Sequence, residues 1–194
     1  MIVSVTVDRN KGGIANSLVS YSKALHITGK KHLVMVPKNA HVISDLKELE
    51  NVKILAINKI SLYFHIYTKF FFKPKISKQL KESKWIFIHN SKLLKYFNTF
   101  FNKTGLINHS GKLRNTNHRA WNIFITQSGL NRFLKKYPNN QSKNIVICHG
   151  FESIKFKSQN PMENPEYLRV IAGGRIVEKK GLEESFVKAD CARA

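Results

Sequence analysis

The sequence is short of cysteine, of acidic residues and of long uncharged runs. Its only thiols, Cys148 and Cys191, are too few for a disulfide framework and too far apart for a CxxC pair, which favours a reducing compartment. The longest stretch without Asp, Glu, Lys or Arg, at 120–131, has 12 residues, whereas a membrane span needs about 20 apolar ones. The apolar run at 2–7 has no basic lead-in and is unlike a secretory signal. We therefore expect a cytoplasmic protein, soluble or bound to a membrane surface.

The charge is strongly one-sided. Against 33 Lys and Arg stand 12 Asp and Glu, which leaves a formal charge of +21 on 194 residues. This excess favours an anionic partner, which is a nucleic acid, an anionic membrane or a phosphorylated ligand, without choosing among them. Hydrophobic residues make up 42% of the chain, enough for a core, so a disordered tail is excluded.

Short apolar runs recur along the chain, and most are separated by segments long enough for a helix. They lie at 2–7, 33–36, 52–57, 85–88, 106–108, 123–125 and 145–148. Continuous rather than alternating hydrophobicity is typical of strands covered on both faces, and helical crossovers imply a mainly parallel sheet. The predicted fold class is α/β.

Helices are predicted between several of these runs. Ile14, Leu18, Tyr21 and Leu25 form one apolar stripe on a helix that ends near Gly29 and should pack on the sheet. Two more helices are predicted at 91–101 and 129–137.

The polar segment 158–165, which carries two prolines, is predicted to be a linker. It would separate a first domain, 1–157, from a second one begun at 166–194, which is too short to be complete.

Two turns between a strand and a helix are candidates for ligand binding. In DRNKGGI, Gly12 and Gly13 allow a ligand to approach the backbone, and the helix start favours an anion. The alternative is a tight turn that needs glycine for its dihedral angles. In GGRIVEKKGLE, Arg175 and Lys180 lie near a helix N-terminus, a combination suited to a diphosphate. Together the two turns predict a ligand in a cleft between two domains.

Both stretches carry a family resemblance. KGGIANSLVSYSKALHITGKKHLVMVP resembles the opening of the retaining, nucleotide-sugar-dependent glycosyltransferases of family 4, and GGRIVEKKGLEESF resembles that family's GRxxxEKG segment. The resemblance implies the GT-B architecture of two facing Rossmann-like domains, the first binding the acceptor and the second the donor. It implies hexosyl transfer from a nucleotide-diphosphate sugar to a glycan or lipid-linked acceptor, as in cell-surface polysaccharide or lipopolysaccharide synthesis.

The resemblance also implies roles for individual residues. Arg175 and Lys180 match the pair that contacts the donor diphosphate, and the turn with Gly12 and Gly13 matches the N-terminal one. His109, in INHSG, resembles a histidine near the reacting sugar and is the candidate catalytic residue. His89 and Asn90, which end the fourth run, are candidates for the edge of the cleft. For both histidines a structural role remains the alternative.

The family's ExxxxxxxE motif has no counterpart among these residues. We therefore expect little or no transferase activity from this chain alone, and a non-catalytic remnant stays an alternative. The eight histidines do not cluster at ligand spacing, so no metal and no cofactor besides the sugar nucleotide are predicted.

The positive charge leaves two further alternatives open. Segments 60–75 and 92–103 mix aromatic residues with lysines, which suits either the surface of an anionic membrane or a core with a solvated basic face. Lipid-linked acceptors would place the protein at the inner face of the membrane. A basic nucleic-acid-binding protein is the other class, although no RNP, KH or zinc-finger motif supports it.

Overall fold

The described part of the chain folds around one parallel β-sheet. A computed structural model describes residues 1–58, 60, 75–109, 120–140 and 143–148. The strands within these ranges are β1 (Ile2–Val5), β2 (His32–Val36), β3 (Val52–Ala56), β4 (Trp85–Ile88), β5 (Thr104–Asn108), β6 (Trp121–Phe124) and β7 (Lys143–Val146). Each predicted apolar run overlaps one of them, so the α/β class with a parallel sheet is confirmed.

Helices connect several of the strands. The α-helices within the described residues are α1 (Gly13–Ile27), α2 (Val42–Leu46), α3 (Lys75–Glu82) and α4 (Gln127–Lys136). A segment of 3₁₀ turns spans Ser91–Lys103. The sequence predicted α1 and α4 but not α2, which is short, or α3, whose apolar side consists of Ile76 and Leu80.

The strand order is β3-β2-β1-β4-β5-β6-β7, and every pairing is parallel. The chain therefore builds outward from β1 in one direction and then returns to the other side of β1. This arrangement is Rossmann-like in its general kind.

Strand β2 shows why the apolar runs are continuous. Leu33 and Met35 point into one hydrophobic cluster, whereas Val34 and Val36 point into the other, and all four are buried. A strand in the middle of a sheet that is covered on both faces has no solvent side, so it does not alternate with polar residues.

Helix α1 packs on one face of the sheet, as its stripe predicted. Leu18 is fully buried in the same cluster as Val34, while Ile14, Tyr21 and Leu25 are half-buried. After the helix, Gly29 has a φ of 65°, the left-handed conformation that glycine adopts without strain.

The segment Ser91–Lys103 differs from the regular helix that the sequence predicted. Its turns are of the 3₁₀ type, and Phe97 and Phe100 have non-helical backbone angles. The buried side chains of the segment have the spacing of an α-helix; they are Leu93, Leu94, Phe97, Phe100 and Phe101. The apolar pattern therefore does not show the departure, which lies in the backbone at Phe97 and Phe100.

Helix α4 begins two residues before its predicted start at 129. The hydroxyl of Thr126 accepts a hydrogen bond from the Gly129 amide at 3.0 Å, which is an N-cap that fixes the first turn. By contacts the chain divides into Met1–Ser153 and Ile154–Ala194. The predicted linker at 158–165 and the predicted second domain at 166–194 lie outside the described residues.

Candidate functional site at the switch point of the sheet

The strand order reverses beside β1, which marks a candidate binding position. From β1 the chain proceeds to β2 on one side, and later to β4 on the other. The connection after β1 and the connection after β4 run in opposite directions, so a crevice opens at the carboxyl ends of these two strands. Ligands of open α/β sheets bind in such crevices. We call this position the switch crevice; the residues that follow β1, β4 and β5 surround it.

The turn between β1 and α1 offers open backbone at the switch crevice. Gly12 and Gly13 are exposed, and a Cβ atom built on either would meet no atom within 4 Å. Gly12 has a φ of 178°, extended backbone that any residue adopts. Glycine is therefore not required here by strain or by packing among the described residues. The alternative of a turn that needs glycine for its dihedral angles is therefore not supported at Gly12, and binding of a ligand at this turn stays a prediction.

The surroundings of the turn are basic. Arg9 and Lys11 are exposed on the loop that leads into α1, and the first turn of this helix, Gly13 onward, carries no acidic residue. No side chain among the described residues caps the N-terminus of the helix. Its amide groups and the two cations together make a positive environment for whatever lies over the turn.

The side chain of Asn90 ties the end of β4 to this loop. Its Oδ1 accepts hydrogen bonds from the Thr6 hydroxyl at 2.8 Å and from the Val7 amide at 3.0 Å. Its Nδ2 donates to Oδ1 of Asp8 at 3.3 Å, and the Asp8 amide donates to the Thr6 hydroxyl oxygen at 3.2 Å. One carboxamide thus fixes three consecutive residues after β1, so the glycine turn starts from a defined position.

The loop has a second attachment on its other side. The backbone amide of His41, just before α2, donates to the carbonyl of Arg9 at 2.8 Å. The chain is therefore held at Asp8 and at Arg9, and the exposed part of the turn is the stretch that ends in Gly12 and Gly13.

The two histidines predicted at this edge are brought into contact. His89 Nδ1 lies 2.9 Å from His109 Nε2, although 20 residues separate them in sequence. His89 is buried, with 3% of its surface exposed, and its backbone amide donates to the carbonyl of Val5 at 3.0 Å. This bond extends the pairing of β4 with β1 by one residue, so the backbone of His89 is anchored to the sheet.

The two imidazole rings lie side by side. Their centres are 5.1 Å apart, and their planes are only 15° from parallel. Ring nitrogens at 2.9 Å and centres at 5.1 Å are compatible only if both nitrogens lie close to the line that joins the centres. The hydrogen bond is therefore nearly linear and in the plane of both rings, the direction of an imidazole lone pair.

Tyr21 of α1 completes this side of the switch crevice. Its ring centre is 6.1 Å from that of His89. Burial raises the pKa of Tyr21 above its ordinary value, so its phenol stays protonated at neutral pH. The sequence placed Tyr21 only in the apolar stripe of a helix. The sequence also did not identify Thr6 as a site residue. Its position could have indicated this, because Thr6 is a polar residue near the carboxyl end of an apolar run.

Five of the seven site residues predicted from the sequence lie in the part of the chain that the structure describes. Gly12, Gly13, His89, Asn90 and His109 all lie at the carboxyl edge of the sheet, as the sequence predicted for residues that follow strands. Arg175 and Lys180 lie outside the described residues.

The second aromatic and basic segment has its rings in the core. Phe97, Phe100 and Phe101 are buried, while Lys92 and Lys95 are exposed. This is the arrangement of a core with a solvated basic face, so these three rings are not available to a membrane surface. The segment at 60–75 lies almost entirely outside the described residues.

The described ranges contain neither a candidate metal centre nor a candidate membrane-spanning helix. There, no three His, Cys, Asp or Glu side chains are grouped closely enough to hold a metal ion. No helix in the same ranges has both the length and the apolar character to cross a bilayer. In comparisons with known proteins, no family model, no curated protein and no solved structure matches this chain.

Proposed function

We propose that the protein is a glycosyltransferase of the GT-B type that transfers a hexose from a nucleotide-diphosphate sugar to a glycan or lipid-linked acceptor. In this proposal the described sheet is the acceptor-side domain, and the switch crevice faces the reacting sugar.

One observation carries the proposal. Residues chosen from the sequence at distant positions follow neighbouring strands and lie at the same edge of the sheet. Gly12 and Gly13 follow β1, Asn90 bonds to the same loop from β4, and His89 bonds to His109 beyond β5. Three strand ends that converge with exposed backbone and polar side chains form the kind of site that open α/β sheets use for ligands.

The proposed reaction needs groups that hold the hexose and groups that accommodate the phosphates. The bond between the anomeric carbon and the diphosphate oxygen breaks, and a bond from an acceptor oxygen to that carbon forms. The diphosphate leaves with the electron pair, and the proton of the acceptor hydroxyl passes to the departing diphosphate oxygen. His109 would hold the hexose by a ring nitrogen, and the turn at Gly12 and Gly13 would let a sugar or phosphate approach the backbone.

Negative charge grows on the diphosphate as it leaves. Arg175 and Lys180 are proposed to bind that charge, because a guanidinium and an ammonium near a helix N-terminus stabilise it more in the transition state than in the bound substrate. This role follows from the sequence resemblance.

The direct test is charge reversal of this pair. We expect Arg175→Glu with Lys180→Glu to weaken the binding of a sugar nucleotide at least about tenfold, since two charge-assisted contacts are replaced by repulsion. Calorimetric titration with UDP-glucose, UDP-N-acetylglucosamine and GDP-mannose measures the change.

A matched control reverses the same charge elsewhere. Lys30 and Lys31 are exposed and precede β2, at the opposite edge of the sheet. Lys30→Glu with Lys31→Glu should leave the dissociation constant within about twofold. Equal binding by both double variants would overturn the proposal. Salt-dependent binding of a random oligonucleotide, with no binding of the three sugar nucleotides, would replace it with the nucleic-acid alternative.

A further inference from the structure

We propose that His89 is a positioning residue that sets the orientation and the tautomer of His109 at the switch crevice. The effect on sugar transfer rests on the proposed function, but the effect on the ring of His109 does not.

The first step of the argument is the anchoring of His89. Its backbone amide is bonded to Val5, and its neighbour Asn90 is bonded to the loop after β1. Its ring is almost fully buried and contacts Tyr21 of α1. Both the backbone and the ring of His89 are therefore fixed by the sheet and by a helix.

His109 lies at the end of a strand, where the sheet pairing of β5 has stopped. It is the first residue after β5 and is half-buried. The in-plane bond from His89 Nδ1 to His109 Nε2 at 2.9 Å connects this ring to the anchored one. A linear bond in the plane of both rings restrains the rotation of the His109 ring, so the direction of the rest of that ring is set by His89.

The same bond couples the protonation of the two rings. A hydrogen bond between two ring nitrogens needs a proton on one and a lone pair on the other. The nitrogen that carries the proton in His89 therefore decides which nitrogen carries it in neutral His109. Sugar hydroxyls can donate or accept, so the tautomer determines which of these bonds His109 makes.

Two substitutions separate the hydrogen bond from the packing. His89→Phe keeps a flat ring beside Tyr21 and removes the bond. His89→Asn keeps a polar atom near the position of Nδ1. We expect the ¹⁵N signals of the His109 ring, assigned from their loss in His109→Gln, to shift in His89→Phe and to return towards those of the wild type in His89→Asn. Unchanged His109 signals in a folded His89→Phe protein would overturn the inference.

Should His89→Phe not fold, the wild-type protein still decides the question. A nitrogen–nitrogen scalar coupling across the bond between His89 and His109 is the expected result. Its absence, with His109 ring ¹⁵N shifts averaged between the two tautomers, would contradict the inference.

The functional test is a double-mutant cycle on ligand binding, since little or no turnover is expected from this chain. With whichever of UDP-glucose, UDP-N-acetylglucosamine or GDP-mannose binds, His89→Phe should raise the dissociation constant about threefold to tenfold, because the ring of His109 is no longer held in place. In a His109→Ala background, the same change should alter the dissociation constant less than about twofold, because a residue that acts through His109 has nothing left to position. Equal losses of affinity in both backgrounds would show a general structural role and would reject the positioning role.

His26, at the end of α1 and near the amino end of β2, supplies the matched control, because its Nδ1 also makes a side-chain hydrogen bond, to Asn51 Oδ1 at 2.6 Å. His26→Phe should change neither the His109 signals nor the dissociation constant. A wild-type protein that binds none of the three sugar nucleotides would overturn the proposed function, and the nitrogen signals would then still decide whether His89 sets the ring of His109.

Discussion

His32 shows how much a single buried polar residue can organise. It lies on β2 with 1% of its surface exposed, between Ser22 of α1 and Ser4 of β1. The Ser22 hydroxyl donates its proton to the Leu18 carbonyl at 2.8 Å, so it must accept from His32 Nδ1 at 3.1 Å. In neutral His32, Nε2 is then the acceptor for the Ser4 hydroxyl at 2.9 Å. One tautomer satisfies the whole group.

The same group predicts a dependence of stability on pH. Burial lowers the pKa of His32 to about 4, from 6.5 in an unfolded chain. Between these values the unfolded state binds more protons, so the contribution is fully present above pH 6.5 and is lost as the pH falls towards 4. The shift corresponds to about 3 kcal/mol of unfolding free energy.

Urea unfolding at pH 7, 6, 5 and 4 measures this contribution. We expect His32→Asn to be less stable than the wild type at pH 7 and to lose less stability on acidification. The exposed His41→Asn should keep the wild-type slope. Parallel curves for the wild type and His32→Asn would contradict the assignment.

The sequence indicated individual edge residues only where their place relative to a strand showed on which side of the sheet they lie. His89, Asn90 and His109 stood out because each ends or follows an apolar run, and parallel strands bring such ends together. Ser4 and His32 sit at the middle and the start of similar runs, where nothing in the sequence shows that their side chains face each other beneath a helix. Their pairing depends on strand register and helix placement.

At the scale of elements, the ends of helices depend on contacts from elsewhere in the chain. The ammonium group of Lys103 donates to the carbonyls of Leu80, Lys81 and Ser83 at 2.8, 2.9 and 2.8 Å. These are the last turn of α3 and the residue beyond it. A cation that uses all three of its protons on the carbonyl groups at the end of a helix both caps the helix and neutralises the negative end of its dipole.

Removal of this cap should destabilise the fold. We expect Lys103→Met to lower the unfolding free energy by about 1–3 kcal/mol, because several carbonyl groups lose a charged donor while the apolar stem is kept. Lys92→Met, at an exposed position of the same 3₁₀ segment, should change it by less than about 0.5 kcal/mol. Denaturant unfolding of the two variants compares them, and equal stabilities would refute the capping role.

The helices were harder to predict than the strands for a related reason. Helix α3 has only Ile76 and Leu80 on its buried side and needs Lys103, more than twenty residues away, at its end. The 3₁₀ segment has both the apolar content and the apolar spacing of an α-helix, so its sequence does not show that the backbone departs from one at Phe97 and Phe100. Strands covered on both faces carry a stronger local signal, since nearly every residue in them is apolar.

At the scale of the whole molecule, the glycine turn separates stability from ligand binding. Gly12 and Gly13 have open space where a Cβ would be, so alanine there should leave the fold intact or slightly more stable. If a ligand approaches the backbone at this turn, the added methyl groups should nevertheless weaken its binding, about tenfold for the sugar nucleotide that binds best.

Gly29→Ala is the contrasting variant. Its φ of 65° makes alanine unfavourable by about 1 kcal/mol, at a position on the amino side of β2 that is distant from the switch crevice. Thermal unfolding should therefore show a loss of stability only for Gly29→Ala. Calorimetric titration should show weaker binding only for Gly12→Ala and Gly13→Ala. Undiminished binding by Gly12→Ala and Gly13→Ala would remove the turn from the proposed site.

The sheet as a whole was predictable in class but not in order. Each of the seven apolar runs overlaps one of the seven parallel strands among the described residues. The central strand β2 is buried throughout, whereas the outermost strands β3 and β7 carry exposed residues. The strand order beside β1 cannot be read from the residues of β1 itself. Ile2 pairs with His32 on one side and with Trp85 on the other, and nothing in the sequence of β1 shows which strands will be its neighbours. The switch crevice could therefore be expected from the fold class, while the meeting of His89 with His109 required the structure.

The central place of β1 has a consequence for synthesis on the ribosome. As the nascent chain emerges, β1, β2 and β3 can pair in turn, but one side of β1 keeps open amide and carbonyl groups until Trp85–Ile88 arrives. From then on, β5, β6 and β7 each join the newest edge in the order of translation. We expect the interval before β4 to be when a stalled chain is most prone to pair with its neighbours, because an unpaired edge is a template for other strands.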